Sequence, residues 1–99
     1  MRMTEIRQTE EFSKWLHRLR DERARVRIAE RLLRVEAGNF GDAKPVGSGV
    51  SEMRIDYGPG YRVYYVRRGR VIVVLLCGGD KRTQNTDIKH AKRMARALE

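Results

Sequence analysis

Apolar and polar side chains alternate from residue 3 to residue 7, which predicts a short opening strand. Thr9 then stands where a hydroxyl can accept from an open amide in the first turn of a helix. Glu10 and Glu11 favour the same start by opposing the helix dipole. Phe12, Trp15, Leu16 and Leu19 follow at i, i+3, i+4 and i+7, one apolar stripe on a helix. Asp21 is placed to cap a second helix whose inner face is Ala24, Ile28, Leu32 and Val35. Its other faces carry Arg23, Arg25, Arg27, Arg31 and Arg34. Gly38-Asn39, a pair that tolerates positive φ, is the stop signal. The two helices are predicted to lie antiparallel.

Between residues 38 and 49 the chain turns to Gly, Pro, Ser and Asn, the composition of loop and sheet edge. Three strands are predicted beyond it. Residues 50–57 alternate, with Met53, Ile55 and Tyr57 on one face and Glu52, Arg54 and Asp56 on the other. Gly58-Pro59-Gly60 is a turn, residues 61–67 alternate again, and Arg68-Gly69 marks a second tight turn. Residues 71–77 are apolar without a break, as in a strand covered on both faces, and Gly78-Gly79 ends it. A last helix is predicted from Asn85 or Thr86, with Ile88, Ala91, Ala95 and Leu98 inside and Lys89, Lys92, Arg93 and Arg96 outside. The order β-α-α-β-β-β-α predicts an α+β fold, a mainly antiparallel sheet packed against two N-terminal helices and one C-terminal helix.

Composition narrows what such a domain does. Ninety-nine residues leave room for one domain, expected over residues 1–99. Twenty-two Lys and Arg against 13 Asp and Glu give a net charge of +9. Residues 1–37 hold ten basic and seven acidic groups, residues 38–76 six and three, and residues 77–99 six and three, so each part carries +3. The positive charge belongs to the folded body rather than to a tail, and it suits RNA, DNA or an acidic protein segment. Solubility alone is the plainer explanation. One cysteine forms no intramolecular disulfide. With no long apolar run and no secretory leader, a cytoplasmic protein without a membrane partner is expected.

Most enzyme signatures are missing: no Walker loop, no Gly-x-Ser-x-Gly, no His-Glu-x-x-His and no Cys-x-x-Cys, so neither a metal nor another cofactor is expected. His17 reads as solvated, Cys77 as a small core residue and Trp15 as packing. His90 is harder to set aside, because its helix begins near the Gly78-Gly79 strand end. The informative group is the middle hairpin. If its turn sets Tyr57 opposite Tyr61, then Arg54 faces Tyr64, Asp56 faces Arg62, and Arg54, Arg62 and Tyr64 share one sheet face. A one-residue slip would reverse that face. Two guanidiniums and a phenol suit a phosphodiester, charge for the phosphate and a ring for the base, and Lys81 follows just beyond the third strand. The alternative is a solvent face of long cations paired with Glu52 and Asp56.

Three stretches in that order, Glu52-Met53-Arg54-Ile55, Gly60-Tyr61-Arg62-Val63-Tyr64-Tyr65 and Leu75-Leu76-Cys77-Gly78-Gly79-Asp80-Lys81, resemble the RelE/ParE toxin superfamily. The likeness is strongest to its HigB-like branch of phage-derived addiction module killer proteins. Asn39-Phe40-Gly41-Asp42-x-Lys44-Pro45 upstream and Thr83-Gln84-x-x-Asp87-Ile88 downstream extend it over nearly the whole chain.

The resemblance implies a RelE-like fold and the toxin of a type II toxin–antitoxin pair. Its antitoxin is then a helix-turn-helix protein encoded by the adjacent gene, and operator DNA is met only through that antitoxin. Many such toxins are ribosome-dependent mRNA endonucleases that work without metal, by in-line attack of the ribose 2′-hydroxyl. By position, Arg62 matches the arginine expected on the scissile phosphate, Arg54 a basic residue on the preceding strand, and Lys81 a basic residue after the last strand. Arg82, Tyr64 and Lys44 are further RNA-binding candidates. Glu52 stands where the best-known nucleases of the family carry a second lysine, and Asp87 where some members carry a catalytic tyrosine. Arginine is no base at neutral pH, so the proton acceptor is open among Tyr64, His90 and Glu52. The alternatives are a ParE-like inhibitor of DNA gyrase and a nucleic-acid-binding module acting with its antitoxin.

Overall fold

The computed structural model describes residues 4–98. The order is β1 (Glu5–Gln8), α1 (Glu10–Arg18), α2 (Glu22–Glu36), β2 (Ala43–Gly47), β3 (Val50–Ile55), β4 (Tyr61–Arg68), β5 (Ile72–Gly79), a 3-10 turn (Lys81–Thr83) and α3 (Gln84–Ala97). The strands form one sheet in the order β1-β5-β4-β3-β2, antiparallel except where β1 runs parallel to β5. The predicted opening strand began at Met3, which lies outside the described residues.

Local chemistry sets the helix limits. Thr9 caps α1, its hydroxyl accepting from Phe12 N at 3.0 Å, and Asp21 caps α2 by accepting from Arg23 N at 2.9 Å and Ala24 N at 3.3 Å. At the far end of α2, Gly38 adopts φ +92°. Its amide reaches the Val35 carbonyl while that of Asn39 reaches Arg34, both at 2.8 Å, the paired bonds of a Schellman stop. The predicted inner face of α2 is buried throughout, and so are Ala91 and Ala95 of α3. Leu98 lies past the end of α3 and is 44% exposed, so the inner stripe of that helix stops short of it.

The helices cover opposite faces of the sheet. On one side α1 and α2 enclose the larger core, with Phe12, Ile28, Val35, Met53, Val63 and Leu75. On the other, α3 covers a smaller cluster of Val50, Tyr64, Val66, Leu76, Cys77, Ala91 and Ala95. A bulge in β5 joins the two. Tyr64 pairs with Cys77 but Tyr65 with Leu75, so Leu76 is an extra residue that changes which face the rest of the strand presents.

Three expectations are corrected. Residues 43–47, read as loop and edge, form a fifth strand at the sheet edge, where Pro45 blunts further pairing. The Gly78-Gly79 pair does not stop β5 but completes it, pairing with Val63 and Arg62. The middle hairpin sets Ile55, not Tyr57, opposite Tyr61, so that Arg54 faces Arg62 and Glu52 faces Tyr64. That is a shift of two residues, and because the side-chain period of a strand is two it leaves the residues of β3 and β4 on their predicted faces, while Asp56 and Tyr57 lie beyond the end of β3.

Candidate active site

Arg54 near the end of β3 and Arg62 near the start of β4 are direct cross-strand partners, and Arg62 is in turn opposite Gly79. Two like charges in that position repel. Each has a carboxylate to offset it: Asp42 Oδ2 lies 3.9 Å from Arg54 Nε, and Glu52 Oε2 lies 3.5 Å from Arg62 Nε. Lys81 enters from the 3-10 turn, which Asp80 caps by accepting from Arg82 N at 2.8 Å. Together the three cations line a cleft of about 360 Å³ with Asp42, Ile55, Asp56, Gly60 and Tyr61. Sequence reading named Arg54, Arg62 and Lys81 as a set, and the structure brings all three to one cleft.

Behind the cleft sits a buried polar group. Glu52 is fully buried, and its Oε2 accepts from Gln84 Nε2 at 2.8 Å and from the Tyr64 hydroxyl at 3.3 Å. Arg62 is 6% exposed, and its Nη1 donates to the Gly60 carbonyl at 2.9 Å. The separation of Arg62 Nε from Glu52 gives charge attraction without a hydrogen bond, and both Arg62 Nε and Glu52 Oε1 lack a hydrogen-bond partner. A buried charge without its partner is costly, so Glu52 holds the base of the guanidinium in place while the rest of it faces the cleft.

The remaining candidates lie elsewhere. Tyr64 is fully buried on the α3 face, so it has no ring face open to a base. Burial, and then the neighbouring Glu52 carboxylate, push its phenol well above the ordinary range, so it stays protonated and does not act as a base. Lys44 is exposed on β2 opposite Glu52, one row from the cleft. Arg82 is bound to Asp80 at 3.0 Å, and that bond holds the Asp80 carboxyl below its ordinary range. His90 Nε2 meets Glu11 Oε2 at 2.7 Å and does not line the cleft. Cys77 is buried, and that burial pushes its thiol up to about 12, which suits a core residue rather than a nucleophile.

Residues 14–99 match the family described as phage derived protein Gp49-like. The chain belongs to this family. An uncharacterized protein of Haemophilus influenzae is 50% identical over 94 residues, which span 95% of either chain. A chain of the RelBE2 toxin–antitoxin complex from Mycobacterium tuberculosis superposes on 82% of this chain and on all of its own length, with a TM-score of 0.64 and 22% identity. At that identity the likeness is one of fold, and it bears out the RelE-like α+β architecture.

The sequence pointed to Glu52 and Asp56 as partners of the cations but not to how the carboxylates divide between cleft and interior. Asp42 and Asp56 are the carboxylates that line the cleft, whereas Glu52 supports it from inside. Gln84 joins α3 to Glu52. Gly78 and Gly79 are there for close approach: an added Cβ would fall 2.4 Å from Trp15 Cε3 at the first and 1.9 Å from Asp87 Oδ2 at the second. The adjacent glycines were the only signal in the sequence, and what they make room for comes from two helices, α1 far away in the chain and α3 just beyond β5.

Proposed function

We propose that this protein is the toxin of a type II toxin–antitoxin pair, of the HigB-like branch, and that the Arg54–Arg62–Lys81 cleft cuts mRNA on the ribosome. One observation carries the reading: three cations from separate elements converge on one cleft beside two carboxylates. Cations placed where charge develops on a phosphate lower the barrier in the way that oxyanion donors do. Arg62, held by Glu52 and Gly60, binds the non-bridging oxygens, and Arg54 steadies the same phosphate. The ribose 2′-oxygen attacks phosphorus in line, its proton passes to a cleft carboxylate, Asp42 or Asp56, and the bond to the 5′-oxygen breaks. Lys81 supplies a proton to that leaving oxygen, giving a 2′,3′-cyclic phosphate and a free 5′-hydroxyl. The RelBE2 neighbour is part of a toxin–antitoxin complex, which supports an antitoxin partner for this chain as well.

The test is short induction of the chain followed by primer extension on cellular mRNA. Arg62→Ala is a confounded variant, because it strands Glu52 in the interior. Arg54 and Lys81 are exposed and leave the core intact when removed. Loss of a proton donor costs roughly 100- to 10,000-fold in rate, so Lys81→Ala is expected to abolish cuts spaced by codon and to let cells grow. Full cleavage by Lys81→Ala and Arg54→Ala would remove the cleft from the chemistry. Growth arrest with intact mRNA but broken DNA would move the target to gyrase.

A further inference from the structure

A second cleft, of about 580 Å³, is lined by Glu10, Glu11, Lys14, Trp15, Arg18 and Gly78. It exists because β1 pairs with β5 only as far as Leu75, so that α1, not a strand, flanks the rest of β5. The Thr9 amide and hydroxyl take the Leu75 and Leu76 carbonyls at 3.1 Å and 2.7 Å. Beyond them Gly78 is bare, and the Trp15 indole lies against it. A Cβ there would stand 2.4 to 2.5 Å from three consecutive ring atoms, the geometry of a face-on approach. Tyr61 meets the same indole edge-on, with ring centroids 6.2 Å apart. Since Tyr61 is also a wall of the arginine cleft, Trp15 and Tyr61 form a partition between the two clefts.

The lining differs in kind from that of the arginine cleft. Two carboxylates repel a bare phosphate. Glu10 is paired with Lys14 at 2.9 Å and Glu11 with His90 at 2.7 Å, and Arg18 has no carboxylate partner among the described residues. An aromatic wall with donors and acceptors on either side is the chemistry that receives an unstacked nucleobase.

We propose that this cleft is a nucleobase subsite. It takes the base of the nucleotide next to the phosphate held by Arg54, Arg62 and Lys81, with Trp15 as its aromatic wall and Arg18 on the following phosphate. The assignment rests on the RNA reading of the arginine cleft.

Trp15 is the sole tryptophan of the chain, so all tryptophan emission comes from the wall of this cleft. The experiment titrates the full chain with a short 2′-O-methylated RNA, which binds but cannot be cut. It follows the anisotropy of a labelled strand and the Trp15 emission with an unlabelled one. Both signals are expected to saturate together, while inorganic phosphate leaves the emission unchanged. Removal of a stacked ring weakens single-strand binding by about tenfold, expected for Trp15→Leu. Arg18→Ala, an exposed change that leaves the core intact, is expected to weaken binding severalfold even if Trp15→Leu fails to fold. Anisotropy that rises with no change in Trp15 emission would overturn the subsite and leave the RNA reading standing. No anisotropy change would overturn the subsite, and the codon-spaced cleavage of the induction experiment then decides the RNA reading separately. Quenching by inorganic phosphate alone would make the cleft an anion site and overturn its assignment to a base.

Discussion

The two faces of the sheet are built to different standards. Under α1 and α2 the core is apolar throughout, with Phe12, Ile28, Val35, Met53 and Val63 all fully buried. Under α3 the helix offers alanines, Ala91 and Ala95, and the buried space beside them is shared with Glu52, Arg62 and Tyr64. Glu52 and Arg62 are the buried charged side chains among the described residues, and both lie on the α3 side. An ion pair taken out of water recovers its desolvation cost only with full hydrogen bonding, and this pair leaves Glu52 Oε1 and Arg62 Nε unpartnered. The α1–α2 face therefore carries the stability, and the α3 face gives some of it up to aim one guanidinium at the cleft.

The largest effects come from opening each face. Phe12→Ala and Glu52→Ala are each expected to cost about 3–5 kcal/mol in urea unfolding, the first through a cavity and the second through a stranded guanidinium. The remedies differ. Replacing both Glu52 and Arg62 by Met is expected to restore or exceed wild-type stability while abolishing toxicity. A double variant as unstable as Glu52→Ala would show that the pair stabilises the fold, and the contrast between faces would fail.

A smaller effect separates the faces with one chemical change at adjacent residues. Gly78→Ala drives a methyl into the indole of Trp15, which is held by Phe12 and Tyr61, and is expected to cost about 1–3 kcal/mol. Gly79→Ala meets the carboxylate end of Asp87 and the Thr83 hydroxyl, which swing aside more easily, so a loss under about 1 kcal/mol is expected. Thermal unfolding of the two variants side by side checks this, and the reverse order would mean that the α3 face is the stiffer one.

The smallest effect is alkaline. Cys77 and Tyr64 both lie on the α3 face, and burial raises both above their ordinary values, the thiol from 9.0 to about 12. A group whose folded pKa is raised holds its proton in the native state after the unfolded chain has lost it. Its contribution is thus complete below the unfolded pKa and falls as pH rises, for Cys77 from about pH 9 toward 12. Cys77→Ala is expected to flatten that decline, measured as urea midpoints across the range. An unaltered slope would assign the alkaline loss to other groups.

Much of the molecule was legible before folding, because the signals that mattered were local. Thr9, Asp21 and Gly38-Asn39 mark helix ends through bonds within a few residues of themselves. The period-two pattern put Arg54 and Arg62 on one face whatever the exact pairing, and the hairpin's offset of two residues preserved it. Whether that face met water or a helix was not legible. The same alternation describes a solvated sheet and a covered one, so Tyr64 read as a base platform and proved to be interior. Nor did the sequence show that Asp42, twelve residues before Arg54, shares its cleft.

The sequence by itself determined every helix and all strands but β2, the basic body and the three cations, since periodicity, capping and charge are properties of neighbouring residues. Only the tertiary structure decided which carboxylate supports the arginine from inside and which ones face the cleft, and why two glycines must follow Cys77. Those depend on α1 and α3 arriving from opposite ends of the chain to press on the same strand.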